Sequence, residues 1–410
     1  MSDHYDALET RSADARAAAL SEALPRQIAH AMANTTHYAA LFAGLDAGDI
    51  RDEAALAHLP VTRKSALIEA QGTHPPFGGI VATPMAQLAR VFISPGPIHE
   101  PEGAAPDYWR FARALFATGF RAGELVHNCF AYHFTPAGSM FESAARALGC
   151  PVFPAGTGST EAQARAVAQL RPAGYAGTPE FLKAILEKGD ELGLDLGSIR
   201  RGHVSGGAYL PGLRAWYAAR GLTVLQSYGT ADLGLIAYES EAREGLISEE
   251  GVLIEIVRPG TGDVVAHGEV GEVLVTSFNP VHPLIRFATG DLSAILPGAS
   301  PCGRTNRRIR GWMGRADQAT KVRGMFVRPE QIAQVLADVP GVGPARLLIS
   351  AAEGRDQMEL QVEAMNASVA PMLEAALQAR TRLRGSVVMV APGTLPNDGQ
   401  VIKDARPAPS

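Results

Sequence analysis

Apolar positions recur at helical spacing early in the chain, at Leu20, Leu24, Ile28 and Met32, then at Leu56, Leu59 and Leu67 around Pro60. That pattern predicts a helical scaffold over residues 5–70. At Val91 it becomes strand-like and runs into a loop rich in Pro and Gly, VFISPGPIHEPEG. From Arg110 strands and helices alternate. Helices are predicted over 110–119, 139–148, 160–170 and 211–220, and from Thr178 onward; strands over 124–130, 152–153, 174–177, 199–204 and 222–226. Thr160 and Gln163 have the spacing of a capping box. Thr178-Pro179-Glu180 offers an N-cap residue, a first-turn proline and an acid near the helix dipole. Such alternation predicts a mainly parallel sheet covered on both faces.

After Gly245 the chain is rich in Val and Ile around a Pro-Gly-Thr-Gly-Asp turn, which predicts β-hairpins. The last roughly 85 residues have the size of a small domain. They read as a helix over 329–337, strands over 346–350 and 357–363, a helix over 369–382 and a strand over 386–390. The expected fold class is therefore α/β. A large N-terminal α/β domain with a mainly parallel sheet and a β-rich subdomain, residues 1–316, precedes a small α+β C-terminal domain, residues 317–410.

Candidate chemistry gathers at three polar stretches that this topology sends to one rim: 94–103, 205–208 and 227–232. In open α/β sheets the carboxyl ends of the strands are where ligands bind. Within LTVLQSYGTADLGLIAYE, Tyr228 offers a ring for a base, Gly229 allows close backbone approach and Thr230 can donate to a phosphate. Asp232 can hold a hard cation such as Mg2+. An ordinary strand-to-loop turn with a capping Asp accounts for the same residues. The glycine- and hydroxyl-rich stretch after Val91 is either a phosphate cradle built from backbone N–H groups or a plain turn. Phe130, Tyr132, His133 and Phe134 stand beside a Pro/Gly turn, as the wall of an apolar pocket or as core. Asp291, after a Thr-Gly turn, suits ribose hydroxyls or caps that turn. Arg304, Arg307, Arg308, Arg310 and Arg315 make either a phosphate-meeting cluster or a solvated charged face.

Composition narrows the classes. Hydrophobic residues are 46% of the 410 and charged residues 19%, the balance of a globular protein. A formal charge of −5 gives no electrostatic case for nucleic acid. No run approaches the roughly 18 apolar residues that cross a bilayer, so no membrane partner is expected. The polar, acidic N-terminus has no signal-peptide core. Cys129, Cys150 and Cys302 show no short pairing, so a reducing cytoplasm is the expected compartment.

Taken in order, these motifs resemble the adenylate-forming acyl-CoA ligases, in particular the phenylacetate-CoA ligase branch. The likeness covers nearly the whole chain. It is most specific over 284–332, LIRFATGDLSAILPGASPCGRTNRRIRGWMGRADQATKVRGMFVRPEQI, and includes the opening LPVTRKSALIEA. The resemblance implies ATP, Mg2+ and CoA as cofactors. A carboxylate attacks the α-phosphate of ATP, pyrophosphate leaves, and the CoA thiol then attacks the acyl-adenylate. It also implies roles. Tyr228 stacks on adenine, Gly206 and Gly207 line the adenine loop, and Thr230 touches the α-phosphate. Asp232 stands where the family usually has a Mg2+-binding Glu. Asp291 holds the ribose hydroxyls and Arg315 reaches ribose or phosphate. Ser94 and Gly96 lie on the phosphate loop. Asp317 is the hinge of a mobile small domain, and Lys321 and Gly324 lie on the segment lining the pantetheine channel. Phe130, Tyr132, His133, Phe134 and Ser205 belong to the acyl pocket.

Two departures fall on the adenylation step. The phosphate loop, Ser94-Pro95-Gly96-Pro97-Ile98-His99, has no Lys, and each proline removes an N–H donor. Gly399 is followed by Gln400 where the family has Lys, with Lys403 three residues on as a candidate substitute. Cys302, preceded by Ser300 rather than Cys, is not expected to hold zinc. The expected function is ATP- and CoA-dependent ligation of a small, aromatic carboxylate to CoA, in a possible homodimer. The alternatives are an acyltransferase fed with preformed acyl-adenylate and a non-catalytic binder of nucleotide or acyl ligand.

Overall fold

The computed structural model describes residues 4–94, 97–316, 318, 320–323, 325–352, 355–396 and 398–406. Gly96, Asp317 and Gly324 lie outside the described residues. The chain divides into two units: residues 1–254, 275–287 and 296–311 form the first, and 255–274, 288–295 and 312–410 the second.

The first unit opens with α1 (Ala13–Asn34), capped by the Ser12 hydroxyl, and includes α2 (Lys64–Thr73). A hairpin follows, β1 (Leu88–Ser94) and β2 (Ile98–Gly103). Residues 98–103 are thus a strand, not the loop expected. Ile98, Glu100 and Glu102 share the alternate positions of β2 and are all buried, so two acids occupy a face that period-two patterning assigns to apolar residues.

The alternating region gives α3 (Ala112–Thr118), β3 (Val126–Asn128), α4 (Ala137–Ala147), β4 (Val152–Pro154), α5 (Thr160–Leu170), β5 (Gly174–Gly177), α6 (Pro179–Glu191), β6 (Arg201–Val204), α7 (Pro211–Ala219) and β7 (Thr223–Thr230). After these come β8 (Gly234–Tyr238), β9 (Leu246–Ser248) and β10 (Arg308–Ile309). They form one sheet in the order β10-β9-β8-β7-β6-β5-β3-β4. Strands β3 to β7 pair in parallel, while β7-β8, β8-β9 and β9-β10 are antiparallel. Both faces are covered, as expected. Tyr175 packs with Leu182, Ile185 and Tyr217 on one side, and its neighbour Ala176 with Leu115, Met140 and Phe141 on the other.

Two local expectations give way. The strand expected at 222–226 continues to Thr230, because it turns at 231–233 into the antiparallel β8 and gains a partner over its last residues, with a bulge between Tyr228 and Gly229. Thr160 and Gln163 make no capping box: Ser159 is the N-cap residue. Gln163 is instead buried, its Oε1 2.6 Å from His127 Nε2 and its Nε2 donating to Ala155 O and Gly156 O. A buried imidazole outcompetes a solvated helix end for that amide.

His203 on β6 ties the sheet to α3. Its Nδ1 is 2.7 Å from Thr118 Oγ1, whose own proton goes to Ala114 O, so Nδ1 carries hydrogen and Nε2 accepts from Ser227 Oγ at 2.9 Å. Burial lowers the His203 pKa to about 3. The group is thus neutral when folded and takes up its proton on unfolding below its ordinary pKa of about 6.5. The stability it confers is whole above pH 6.5 and is lost as pH falls toward 3. Between pH 7 and pH 5 the wild-type protein should lose about 2 kcal/mol more than His203→Gln, read as the change in urea unfolding free energy. Equal losses would contradict this assignment.

The second unit contains the antiparallel pair β11 (Thr320–Val322) and β12 (Met325–Val327), then α8 (Pro329–Ala337). Next come β13 (Ala345–Ala352), β14 (Arg355–Glu363), α9 (Ala370–Thr381), β15 (Ser386–Val390) and β16 (Ile402–Asp404). Its sheet has the order β15-β14-β13-β16, and Ile332, Val335, Leu373 and Leu377 pack on Leu347, Ile349, Leu360 and Ile402. This is the α+β module expected for the tail.

Candidate active site

In the first unit the three polar stretches do come together. Ser205 follows β6, and its hydroxyl donates to Ser227 O at 3.0 Å. Gly206 takes a φ of 70°, which favours glycine, and a Cβ added there would stand 3.9 Å from Phe130 Cε1. A Cβ on Gly229 would stand 2.6 Å from Gly234 O, so the bulged β7-β8 pair closes only around glycine. The Thr230 hydroxyl accepts from Leu233 N at 3.2 Å and keeps its own proton free to donate. Tyr228 is half-buried on β7.

Asp232 sits in the turn after β7 and is 4% exposed. Lys64, the first residue of α2, donates from Nζ to Asp232 Oδ2 at 2.8 Å. Glu100 on β2 is fully buried and accepts from Ser94 Oγ on Oε1 at 2.9 Å. Among the described residues, Glu100 Oε2 and Asp232 Oδ1 receive no N–H or hydroxyl donor. The two carboxyl groups stand close enough for each to act on the other's charge. Burial, and then the charge of Asp232, push Glu100 well above the usual carboxylate range. His282 lies near enough for the Asp232 charge to act on it. Both its ring nitrogens lack partners, and burial lowers its pKa to about 4.

Oxygen donors without hydrogen-bond partners, in a buried pocket, are the ligand type that Mg2+ takes. The residues present therefore fit such a cation, and Asp232 is a candidate ligand. Lys64, Glu100 and His282 are functional candidates that sequence reasoning missed. Only Lys64 had a signal, inside the LPVTRKSALIEA opening.

The aromatic stretch divides. Phe130 is core, stacked on Phe141 at 4.4 Å, and Tyr132 OH accepts from Asn128 Nδ2 at 2.7 Å. His133 and Phe134 are exposed, Phe134 by 76%. The arginines divide too. Arg304, Arg307 and Arg308 are bound to Glu9, Glu53 and Glu244 within the first unit, so they are neither a phosphate cluster nor a bare charged face.

Asp291 and Arg315 belong to the second unit, where Arg315 Nη1 and Trp312 Nε1 each donate to Asp291 Oδ1 at 3.0 Å. Gln318 donates to Gly399 O at 3.0 Å and accepts from Ile402 N at 2.7 Å, fixing the loop that carries Gln400. Gln400 lines a cavity of about 760 Å³ within this unit, together with His267, Val270, Leu336 and Arg346. Lys403 and Lys321 are exposed on β16 and β11.

The AMP-binding enzyme family profile matches residues 110–280. Phenylacetate-coenzyme A ligase of Aromatoleum evansii is 30% identical over 374 residues, covering 87% of this chain and 83% of that protein. The protein of the same name from Thermus thermophilus is 31% identical over 379 residues, with the same coverage. This chain belongs to the phenylacetate-CoA ligase family. A 2-hydroxyisobutyryl-CoA ligase solved with 2-HIB-AMP and CoA shares the fold, with a TM-score of 0.72 and 24% identity over 99% of this chain and 93% of that one. Family membership accounts for the order of the motifs, the LPVTRKSALIEA opening that carries Lys64 among them.

Proposed function

We propose that the protein is an AMP-forming carboxylate-CoA ligase, joining a small aromatic carboxylic acid to CoA through an acyl-adenylate. The observation that carries this reading is the buried Asp232 held by Lys64 at the end of β7, beside the Ser205-Gly206 loop, in a chain of this family. Mg2+, when bound, neutralises phosphate charge. Asp232 would hold it. Lys64 supplies a fixed ammonium for the phosphates, Thr230 a hydroxyl for the α-phosphate, and Tyr228, Gly206, Gly207 and Gly229 the adenine side. Asp291 and Arg315 complete the ribose contact, Ser94 and Gly96 lie at the phosphate loop, and Ser205, Phe130 and Tyr132 border the acyl group. In this reading residues 1–316 form the adenylate-forming domain and 317–410 a mobile domain hinged at Asp317, with Lys321 and Gly324 beside the CoA arm. Lys403 is the substitute cation for the adenylation step. The three free cysteines support a cytoplasmic location, and a homodimer is the assembly this reading proposes.

One observation favours a second reading. Gln400 replaces a cation, and a preorganised charge contributes on the order of 100-fold to 1000-fold in rate. An enzyme fed with acyl-adenylate would not need it. Pyrophosphate release with ATP, Mg2+ and a panel of aryl and short-chain acids separates the two. Acid-dependent release is the expected result. Silence across the panel, with thioester formed from synthetic acyl-adenylate, would instead establish the transferase.

A further inference from the structure

Asp232 alone is a poor seat for a divalent cation in this chain. Its Oδ2 already holds the Lys64 ammonium at 2.8 Å, so the pair is electrically closed. A divalent cation placed at the remaining oxygen would meet one carboxylate and be repelled by the ammonium beside it. Magnesium sites in phosphoryl chemistry draw on one or two carboxylates plus substrate phosphates, and here a second carboxylate is needed to outweigh Lys64.

The fold supplies one. Glu100 is fully buried on β2, anchored on one side by Ser94 Oγ at 2.9 Å, and its Oε2 has no donor among the described residues. Asp232 Oδ1 is the matching orphan. His282, 2% exposed with two unpartnered nitrogens, lies within reach of the Asp232 charge, so the pocket keeps polar groups dry and unspent around this pair. Buried polar atoms without partners cost free energy, which a ligand that completes them returns.

We propose that Glu100 is the second carboxylate of the cation site, so that Glu100 and Asp232 together hold Mg2+ against Lys64. The occupied cluster then carries two carboxylates, one ammonium and one divalent cation. Its net charge of about +1 suits a polyphosphate. Glu100 thereby takes part in the charge balance of a phosphate loop that has no lysine. This inference rests on reading the cluster as the nucleotide-metal centre.

The test is binding of Mn2+ alone, followed by loss of the free-ion EPR signal, with no turnover involved. Wild-type protein should bind Mn2+ saturably. Glu100→Gln keeps the shape and the Ser94 contact but removes the charge, and should weaken binding about 10- to 100-fold. Asp232→Asn should do the same. Glu100→Asp, which draws the oxygen back by one methylene, should fall between and guards against a misfolded Gln variant. Unchanged affinity in either Glu100 variant, or no saturable binding by the wild type, overturns the proposal. If Mn2+ binds as expected and no pyrophosphate is ever released, the ligase reading fails while the two-carboxylate site stands.

Discussion

Lys64→Ala should lower acid-dependent pyrophosphate release about 100-fold to 1000-fold, with most of the loss in kcat. The argument is one of scarcity. The phosphate loop has no lysine, and Gln400 stands where the family has one. Lys64 is the ammonium that the structure places in the Asp232 pocket, at 2.8 Å, with the side chain one-third exposed and its Nζ aimed into a dry site. A fixed charge in a low-dielectric pocket stabilises the developing charge on the phosphates without reorganisation cost, so its removal is felt in the transition state more than in ground-state binding. Lys64→Arg should recover part of the rate, since it keeps the charge on a different geometry. Because Lys64 is partly solvated, its contribution to folding stability is small, and the unfolding midpoint should move little. Combined with Asp232→Asn, the alanine variant should lose much less than the sum of the two single effects, because both act on one pair. Full activity in Lys64→Ala would show that phosphate charge is met elsewhere, and would remove the observation on which the ligase reading rests.

The secondary elements were legible because their signals are local. Thr178-Pro179-Glu180 started α6 as read, and the alternation after Arg110 gave the strands of the parallel region within a few residues. Failures came where a distant partner decides the outcome. Strand β7 runs past Gln226 because β8 turns back to pair with it, which no pattern inside 222–226 announces. Gln163 left its capping role for His127, thirty-six positions away in sequence.

The site divides in the same manner. Asp232 was found because a carboxylate at the carboxyl end of a strand is unusual chemistry in a known place. Glu100 was passed over for a physical reason. An acid at alternate strand positions reads as a solvent face, and only the fold shows that β2 turns Glu100 and Glu102 inward, where Ser94, Arg90 and Ser139 receive them. His282 lies in a stretch with no periodicity at all. Sequence patterning reports exposure preferences, and functional sites are where those preferences are broken.

The second large effect concerns stability, far from any substrate. Arg304→Met should cost about 3–5 kcal/mol. Arg304 is 1% exposed, and its Nε lies 3.1 Å from Glu9 Oε2, an ion pair whose N–H is not aligned for a hydrogen bond. Glu9 is itself 1% exposed. It accepts from Tyr238 OH at 2.7 Å and from Tyr5 N at 3.0 Å, and Arg113 stands 3.3 Å away. Glu9 O also receives Thr305 N at 2.8 Å, so the first turn of the chain is fastened to the segment that carries Arg304. Burying such a network gains little over an apolar core, whereas removing one member strands the charge of another. Burial and the Glu9 charge drive the Tyr238 phenol well above its ordinary range, so it remains a donor and cannot supply the missing cation. The loss is a large share of the roughly 5–15 kcal/mol that holds a domain folded. The measurement is urea unfolding of Arg304→Met, Glu9→Gln and the double variant. Neutralising Glu9 removes the stranded charge, so the double variant should be more stable than Arg304→Met alone. If the two losses simply add, Glu9 and Arg304 act independently, and the network is a set of separate contacts.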